Sequence, residues 1–389
     1  MTDYYSFRET QLEVRGRQLV VVGKPGVWSW DRINPGTAAL LEVVDVQPFD
    51  RVLDLGCGTG VVGAFAAFCA VDGAATLIDA NCVAVACAKR TVEANRLSNA
   101  SVSLSDGACG LSVASFDLAL SHLPRGRAVQ DALIRGAARV LRPGGRLYLV
   151  ASKQAGIKPA IAYARELFGQ CAVIRQKKGY HVAVASRPLA LQISLSCDDY
   201  VAHTVELDRE RVVMFGTPGV FAWDRLDPGT AALVRTMMIA PDDRVLDLGC
   251  GTGIAGLFAA RRAHRGQVAL VDSDVRATES ACRTLSVNDV GNAEVLLSDC
   301  ASAVLDREFD VVVTNPPFHQ GIGVDYDVAY QFVRDAIRVL RAGGRLFLVA
   351  NRHLRYEPII TEVFGNVETA FSDQRYVVLT AVAQRNATG

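Results

Sequence analysis

A repeat constrains this chain more than any other feature. The stretch KPGVWSWDRINPGTAALL from Lys24 returns as TPGVFAWDRLDPGTAALV from Thr217, 193 residues on. At the same shift, without a gap, Asp54 falls on Asp247, Asp79 on Asp272 and Asp106 on Asp299. Similarity at a single long period implies that a whole domain has been duplicated. With 389 residues, half of them hydrophobic, the chain can bury two separate cores. The domains are expected at 1–190 and 191–389, joined through SRPLALQISLSCDDY.

Each copy runs in one order: a lead-in segment, the short apolar strand RVLDL, a glycine loop, a helix of small residues, and a second strand ending in an acid. The second copy continues through AEVLLSD, FDVVVTN, a helix around DYDVAYQFVRDAIRVL, a Gly-Gly turn and RLFLVA. Strands alternating with helices predict an α/β fold of two tandem Rossmann-like domains with mostly parallel, doubly wound sheets. The segments AVIRQKKGYHVAVA and AFSDQRYVVLTAVA predict an antiparallel C-terminal hairpin closing each sheet.

DLGCGTG follows a strand and opens a helix in both copies, at Asp54–Gly60 and Asp247–Gly253. Its glycines allow a sharp turn and a close approach of ligand to backbone, and the helix start offers free N–H groups. A nucleotide-like cofactor is implied. GTGIAG also fits a dinucleotide fingerprint, but two features favour S-adenosylmethionine. Asp247, at the tip of the first strand, would repel a pyrophosphate and suits a cationic amino-acid end. Asp272, at the tip of the second, can accept from both ribose hydroxyls. Asp299 would sit near the adenine. Taken singly, each acid reads equally as a helix cap or turn residue; three at successive strand ends favour a ligand. The expected cofactor-binding set is Asp247, Gly249, Cys250, Gly251, Gly253, Asp272, Ser273, Asp299, Cys300 and Asn315. In the first copy Asp54, Gly56, Gly58, Gly60, Asp79 and Asp106 form a second, non-catalytic candidate site, with a structural remnant of duplication as the other reading.

After the fourth strand the second copy reads Asn315-Pro316-Pro317-Phe318, where open α/β sheets place their chemistry. The prolines stiffen the backbone and leave carbonyls without local amide competitors. The Asn315 side-chain oxygen and a main-chain carbonyl can each accept from one exocyclic amino group, turning its lone pair toward a methyl donor. Phe318 can stack on the ring that bears the amine. His319 can touch RNA or substrate, but a lone His in a loop is more often a surface or hydrogen-bonded bystander. Trp223 and Asp224 of the lead-in segment can cover the cofactor, although Trp30 and Asp31 repeat them, which suits a packing role.

Charge is balanced at 41 basic against 41 acidic residues, yet residues 1–194 carry 22 Lys and Arg against 15 Asp and Glu. A basic half points to a polyanion, or to charge drift without a partner. The ten cysteines include no Cys-x-x-Cys; Cys57, Cys69, Cys250 and Cys282 sit among small or apolar residues and read as reduced, mostly buried thiols, with no metal. The polar start and the lack of a long apolar run point to the cytoplasm, with no membrane association.

Together, the tandem DLGCGTG loops, Asp272, Asp299 and NPPFH resemble the class I methyltransferases that modify guanine N2 in ribosomal RNA, chiefly the small-subunit (16S) rRNA methyltransferase C family. The resemblance covers nearly the whole chain. It implies a catalytic carboxy-terminal domain with Asn315, Pro316, Pro317 and Phe318 as catalytic residues, S-adenosylmethionine as cofactor, and ribosomal RNA within the small subunit as partner. It also implies a degenerate amino-terminal domain that aids folding and holds RNA. There His122-Leu123-Pro124-Arg125 replaces NPPF, some six loop residues are missing, and Arg125, Arg127, Lys177 and Lys178 are the candidate RNA contacts. The first glycine loop, often eroded in that family, is intact here. A monomer is expected. A sister family acts on the large subunit, and NPPF or NPPY also serves adenine-N6 and protein-glutamine methyltransferases; a small-molecule methyltransferase or a non-catalytic RNA-binding assembly factor are further readings.

Overall fold

The computed structural model describes residues 3–108, 110–188, 198–317 and 325–384. The chain divides into two compact units, Met1–Asp199 and Tyr200–Gly389. The boundary expected near residue 190 lies outside the described residues.

The first unit opens with a hairpin, β1 (Arg8–Val14) and β2 (Arg17–Gly23), followed by α1 (Pro35–Val43). Next come β3 (Arg51–Leu55), α2 (Val61–Cys69), β4 (Ala74–Asp79), α3 (Cys82–Ala94), β5 (Ala100–Leu104) and β6 (Phe116–His122). α4 (Arg127–Val140), β7 (Leu141–Ser152), α5 (Ile157–Phe168), β8 (Cys171–Lys177) and β9 (Tyr180–Ser186) complete it. The seven-stranded sheet has the order β5-β4-β3-β6-β7-β9-β8. Its first five strands are parallel, and β9 and β8 join antiparallel.

The second unit repeats this plan with hairpin β10 (Val201–Leu207) and β11 (Glu210–Gly216), then α6 (Pro228–Thr236), β12 (Arg244–Leu248), α7 (Ile254–Arg262), β13 (Gln267–Asp272), α8 (Val275–Val287) and β14 (Ala293–Leu297). β15 (Phe309–Thr314), α9 (Asp325–Val339), β16 (Leu340–Asn351), α10 (Glu357–Phe364), β17 (Glu368–Ser372) and β18 (Tyr376–Val382) follow. Its sheet order, β14-β13-β12-β15-β16-β18-β17, is that of the first. The fold is therefore the expected pair of doubly wound α/β sheets, each closed by an antiparallel hairpin.

Central strands are apolar on both faces because helices cover both. Val245, Leu246, Leu248, Val311, Val312 and Val313 are all fully buried. The lead-in hairpins were not legible. Their turns lack the Asn-Gly or Asp-Gly signature of tight hairpins, and in the second unit Asp208 and Arg209 both take positive φ, 51° and 72°. Helix side chains hold them instead: Thr284 Oγ1 accepts the Phe215 amide at 2.9 Å, and Asn288 bonds both backbone groups of Val213. Thr91 and Asn95 do the same for Val22 and Val20 in the first unit.

Among the described residues no helix is long and apolar enough to cross a membrane, and no group of three or more His, Cys, Asp or Glu is placed to hold a metal ion. Of the cysteines read as buried, Cys57 and Cys250 are buried, Cys69 is half-buried, and Cys282 is exposed on α8.

Candidate active site

In the second unit β13, β12 and β15 are neighbours, so Asp272, the glycine loop and Asn315 emerge side by side at the carboxyl ends of parallel strands. Thr314 Oγ1 donates to the Leu248 carbonyl at 2.7 Å, tying the end of β15 to the start of the loop.

Gly249, Gly251 and Gly253 adopt φ of 78°, 53° and 80°, in the left-handed region that a side chain disfavours. A Cβ on Gly251 would meet nothing within 4 Å, so the backbone there faces open space. Asp272 braces the loop: its Oδ2 accepts from Gly251 N at 3.0 Å and its Oδ1 from Asp274 N at 3.0 Å. The Ser273 amide donates to the same carboxylate, so three backbone amides share its two oxygens and about one acceptor position remains for a further donor. Burial pushes the Asp272 carboxyl up to about 6, against the pull of those amides.

Asp247 departs from its expected place. Rather than facing a ligand's cationic end, it is buried, and its Oδ2 accepts from Gly256 N at 2.7 Å. It thereby satisfies one of the amides that a helix start leaves unpaired. Burial raises its carboxyl to about 7. Cys250 is also buried, its thiol pushed well above its ordinary range by burial. Ser273 and Asp299 are half-buried at the site, and Cys300 is buried with φ of 49°.

The loop after Asp299 has an anchor that sequence reading missed. Asp335 of α9, fully buried, accepts the Ala301 amide at 3.1 Å and the Gln331 Nε2 donor at 2.7 Å. A single acid in an amphipathic helix reads as surface charge. The signal was comparative: aligned on the two Gly-Gly turns, Asp335 and Gln331 fall on Gly136 and Ala132.

Asn315 carries the most informative geometry. Its Nδ2 donates to Asp227 Oδ2 at 3.2 Å and to Thr230 Oγ1 at 3.0 Å. A carboxylate only accepts, so this pairing fixes which end of the amide points where. Oδ1 is left buried with no partner among the described residues. An unmet buried carbonyl costs about 1–3 kcal/mol, and such groups need an explanation such as a ligand. Asp227 itself caps α6, accepting Thr230 N at 2.7 Å. Pro316 is buried and Pro317 exposed. Phe318 and His319 lie outside the described residues. Trp223 is half-buried with its ring edge-on to that of His203 at 5.9 Å, which favours packing; exposed Asp224 pairs with Arg225.

The first unit keeps the loop and loses the rest. Gly56, Gly58 and Gly60 have φ of 75°, 55° and 80°, Asp79 accepts from Gly58 N and Asn81 N, each at 2.9 Å, and Asp54 accepts from Gly63 N at 2.8 Å. Asp106 is exposed. At the end of β6, however, the His122 ring occupies the place of Asn315. Its Nδ1 lies 3.0 Å from Thr37 Oγ1, with the rings of Trp28 and Tyr180 edge-on at 4.6 and 5.9 Å. Burial lowers the His122 pKa to about 4, so the imidazole is neutral at pH 7. Of the candidate RNA contacts, Arg125 and Lys178 are exposed. Two are already engaged, because each lies beside an acid: Arg127 with Asp131 at 2.6 Å, and Lys177 with Glu42, which also takes Arg175.

The doubled glycine loop and strand-end asparagine define a tandem methyltransferase of the small-domain class, and a sequence model of the family "Methyltransferase small domain" matches residues 18–184 and 211–380. "Ribosomal RNA small subunit methyltransferase C" of Stutzerimonas stutzeri is 34% identical over 285 residues, covering 71% of this chain and 83% of that one. Its counterpart in Pseudomonas fluorescens is 36% identical over 256 residues, 64% of this chain and 74% of that one. Among solved structures, the 16S rRNA N2 guanine methyltransferase of T. thermophilus, in complex with AdoMet and guanosine, superposes with TM-score 0.82 at 32% identity, covering 97% of this chain and 98% of that one. The chain belongs to the ribosomal RNA small subunit methyltransferase C family.

Proposed function

We propose that the protein transfers a methyl group from S-adenosylmethionine to N2 of a guanine in 16S ribosomal RNA of the small subunit, and that the second unit alone performs the chemistry. One observation carries the reading: the oriented, buried and unpartnered Oδ1 of Asn315. An exocyclic amino group supplies the donor this oxygen lacks. The names of the relatives, and the AdoMet and guanosine bound to the solved neighbour, support the same pairing of cofactor and base.

The residues present fit the cofactor. The open backbone at Gly251 admits close approach, and the acceptor capacity that Asp272 keeps beyond its three backbone amides suits a ribose hydroxyl. When bound, S-adenosylmethionine supplies an electrophilic methyl group on a sulfonium. The chain's own work is to place the amine. Asn315 Oδ1 accepts one N2 hydrogen and the Pro316 carbonyl the other, which holds the amino group with its lone pair, normal to the ring, facing the methyl group, draws that pair onto nitrogen, and stabilises positive charge growing there. Asp227 and Thr230 hold the amide in place beforehand, so little reorganisation is needed during reaction. The methylated nitrogen is cationic at first, and therefore acidic, and gives one proton to water without a strong base. Phe318 serves as the stacking surface for the guanine.

Taking the base out of its stack costs a few kcal/mol, which contacts from the basic first unit offset. That unit docks RNA and does not transfer methyl groups. The protein acts as a monomer in the cytoplasm. The test is incubation with methyl-labelled S-adenosylmethionine and, separately, unmodified small subunits, large subunits and their naked RNAs, with identification of the labelled nucleoside. N2-methylguanosine confined to small-subunit material is expected. Label in large subunits, adenine or protein contradicts the assignment of target, and no label anywhere contradicts catalysis.

A further inference from the structure

Beside the candidate active site, the second unit has an open cleft of about 380 Å³ lined by Asn351, Arg352, His353, Gln374 and Arg375. It lies where β16 ends and the β17–β18 turn begins, and the Arg352 amide donates to the Arg375 carbonyl at 2.8 Å across it. Tyr376, next in sequence, links the cleft to the chemistry. Its ring lies within 2.8 Å of where a Cβ on Gly229 would stand, and its phenol feels the charges of Asp227 and Arg375. Asp227 is the residue that orients Asn315. The cleft and Asn315 are thus connected through Tyr376 and Asp227.

Most arginines of this unit are paired with a carboxylate, although Arg209, Arg244, Arg334 and Arg355, like the two here, are in no such pair among the described residues. From residue 195 onward the chain holds 19 Lys and Arg against 26 Asp and Glu, and Arg225, Arg235, Arg261, Arg265, Arg276 and Arg345 each hold a carboxylate. Arg352 and Arg375 are exposed and make no ion pair within 4 Å among the described residues, although the Asp373 carboxylate lies close enough for its charge to be felt by both. Asp373, the nearest acid in the turn, directs Oδ1 at the amides of Arg375 and Tyr376, both at 2.7 Å, while Arg352 Nη1 donates to its carbonyl at 3.2 Å. The turn is thus rigid and the remaining guanidinium donors face solvent. The first unit puts exposed Lys153 and Lys178 on the matching strand end and turn, with the Lys153 amide on the Gly179 carbonyl at 3.1 Å.

We infer that Arg352 and Arg375 form a phosphate clamp that grips the RNA backbone next to the guanosine presented to Asn315. The inference rests on the RNA reading above and adds a site to it. Guanidinium groups match phosphate oxygens with paired donors, and a charged backbone contact at the mouth of the site fixes the nucleotide's position without reading its sequence.

The test measures binding, so that it does not depend on turnover. An unmodified fluorescent fragment of small-subunit rRNA is titrated with wild type, R352Q, R375Q and the double variant over a range of salt. The double variant should bind about tenfold or more weakly at 0.15 M salt, and its plot of log Kd against log salt should flatten by about 1.4, or about 0.7 for each phosphate that is no longer neutralised. S-adenosylmethionine affinity should stay unchanged, which shows that the fold is intact, and R352K with R375K should restore the salt slope but only part of the affinity, because lysine carries the charge without the paired donors. Arg209→Gln, in the β10–β11 turn, is the control. Unchanged RNA affinity and slope in the double variant, or an equal weakening in the Arg209 control, overturns the clamp. Failure of wild type to methylate RNA would instead count against the proposed function and leave this binding result to be read on its own.

Discussion

The two units share one loop and differ at one strand end. Between them, the glycine φ values agree within a few degrees, and Asp79 and Asp272 accept the same pair of loop amides. At the fourth strand, Asn315, Asp227 and Thr230 become His122, Asn34 and Thr37. The exchange is coordinated. Asn34 donates to the Tyr180 hydroxyl instead of accepting from a strand-end amide, and the His122 ring fills the space between Thr37 and Trp28. The loop is the same in both units although the strand ends differ, because it also closes the strand-to-helix turn. In both units a Cβ at the third residue of the following helix, Gly63 or Gly256, would come within 2.3 Å of a leucine on the next strand. Retaining DLGCGTG thus says less about catalysis than losing NPPF does.

Substitutions can break this comparison. The largest effect is expected from Asn315→Ala, which removes the oriented side-chain acceptor: kcat should fall about a hundredfold or more while S-adenosylmethionine affinity holds, as measured by turnover and equilibrium binding. Asp272→Ala should raise the KM for S-adenosylmethionine by about tenfold or more, since hydrogen bonds to a charged acceptor are worth about 1.5–3 kcal/mol. Asp79→Ala should leave it unchanged if the first loop is structural. The Asp272 carboxylate also sets a pH dependence. Its pKa is raised to about 6, so as pH falls through 6 the group gains a proton and loses acceptor capacity. Cofactor affinity should weaken below that point, and Asp272→Asn should flatten the profile.

Asp335→Ala should act through the loop it anchors. The expected result is a severalfold rise in cofactor KM with kcat little changed, and about 1–3 kcal/mol less stability in denaturant unfolding from the unpaired buried partners. Gly136, its counterpart, has less room for a side chain, because a Cβ there would come within 3.1 Å of Ala108 Cβ. The smallest effect should come from Arg125→Glu with Arg127→Glu: RNA affinity a few-fold weaker and cofactor affinity unchanged, with Arg125 contributing more because Arg127 already pairs with Asp131. Equal RNA affinity would show that this edge of the first unit does not dock RNA.

Much of this was legible in the sequence because a repeat tests itself. Strand and helix order, the terminal hairpins and the contrast between Asn315 and His122 all follow from laying one copy on the other. What escaped depends on interactions between distant parts of the chain. The β10–β11 hairpin is held by Thr284 and Asn288, some seventy residues away in sequence, and not by its turn. Asp247 looked like a ligand group because it sits near a strand end, yet strand alternation turns it inward to the helix start. Asp227 read as a helix cap, which it is; that it also orients Asn315 across 88 residues needed coordinates.

The central claim is that only the second strand end transfers methyl groups. Unmodified small subunits incubated with methyl-labelled S-adenosylmethionine and wild type, Asn315→Ala, Asp79→Ala or His122→Ala protein test it most directly, with label counted as N2-methylguanosine. The account predicts full labelling by wild type and Asp79→Ala, substantial labelling by His122→Ala, and almost none by Asn315→Ala. Undiminished labelling by Asn315→Ala, or its loss in Asp79→Ala protein that remains folded, would contradict it.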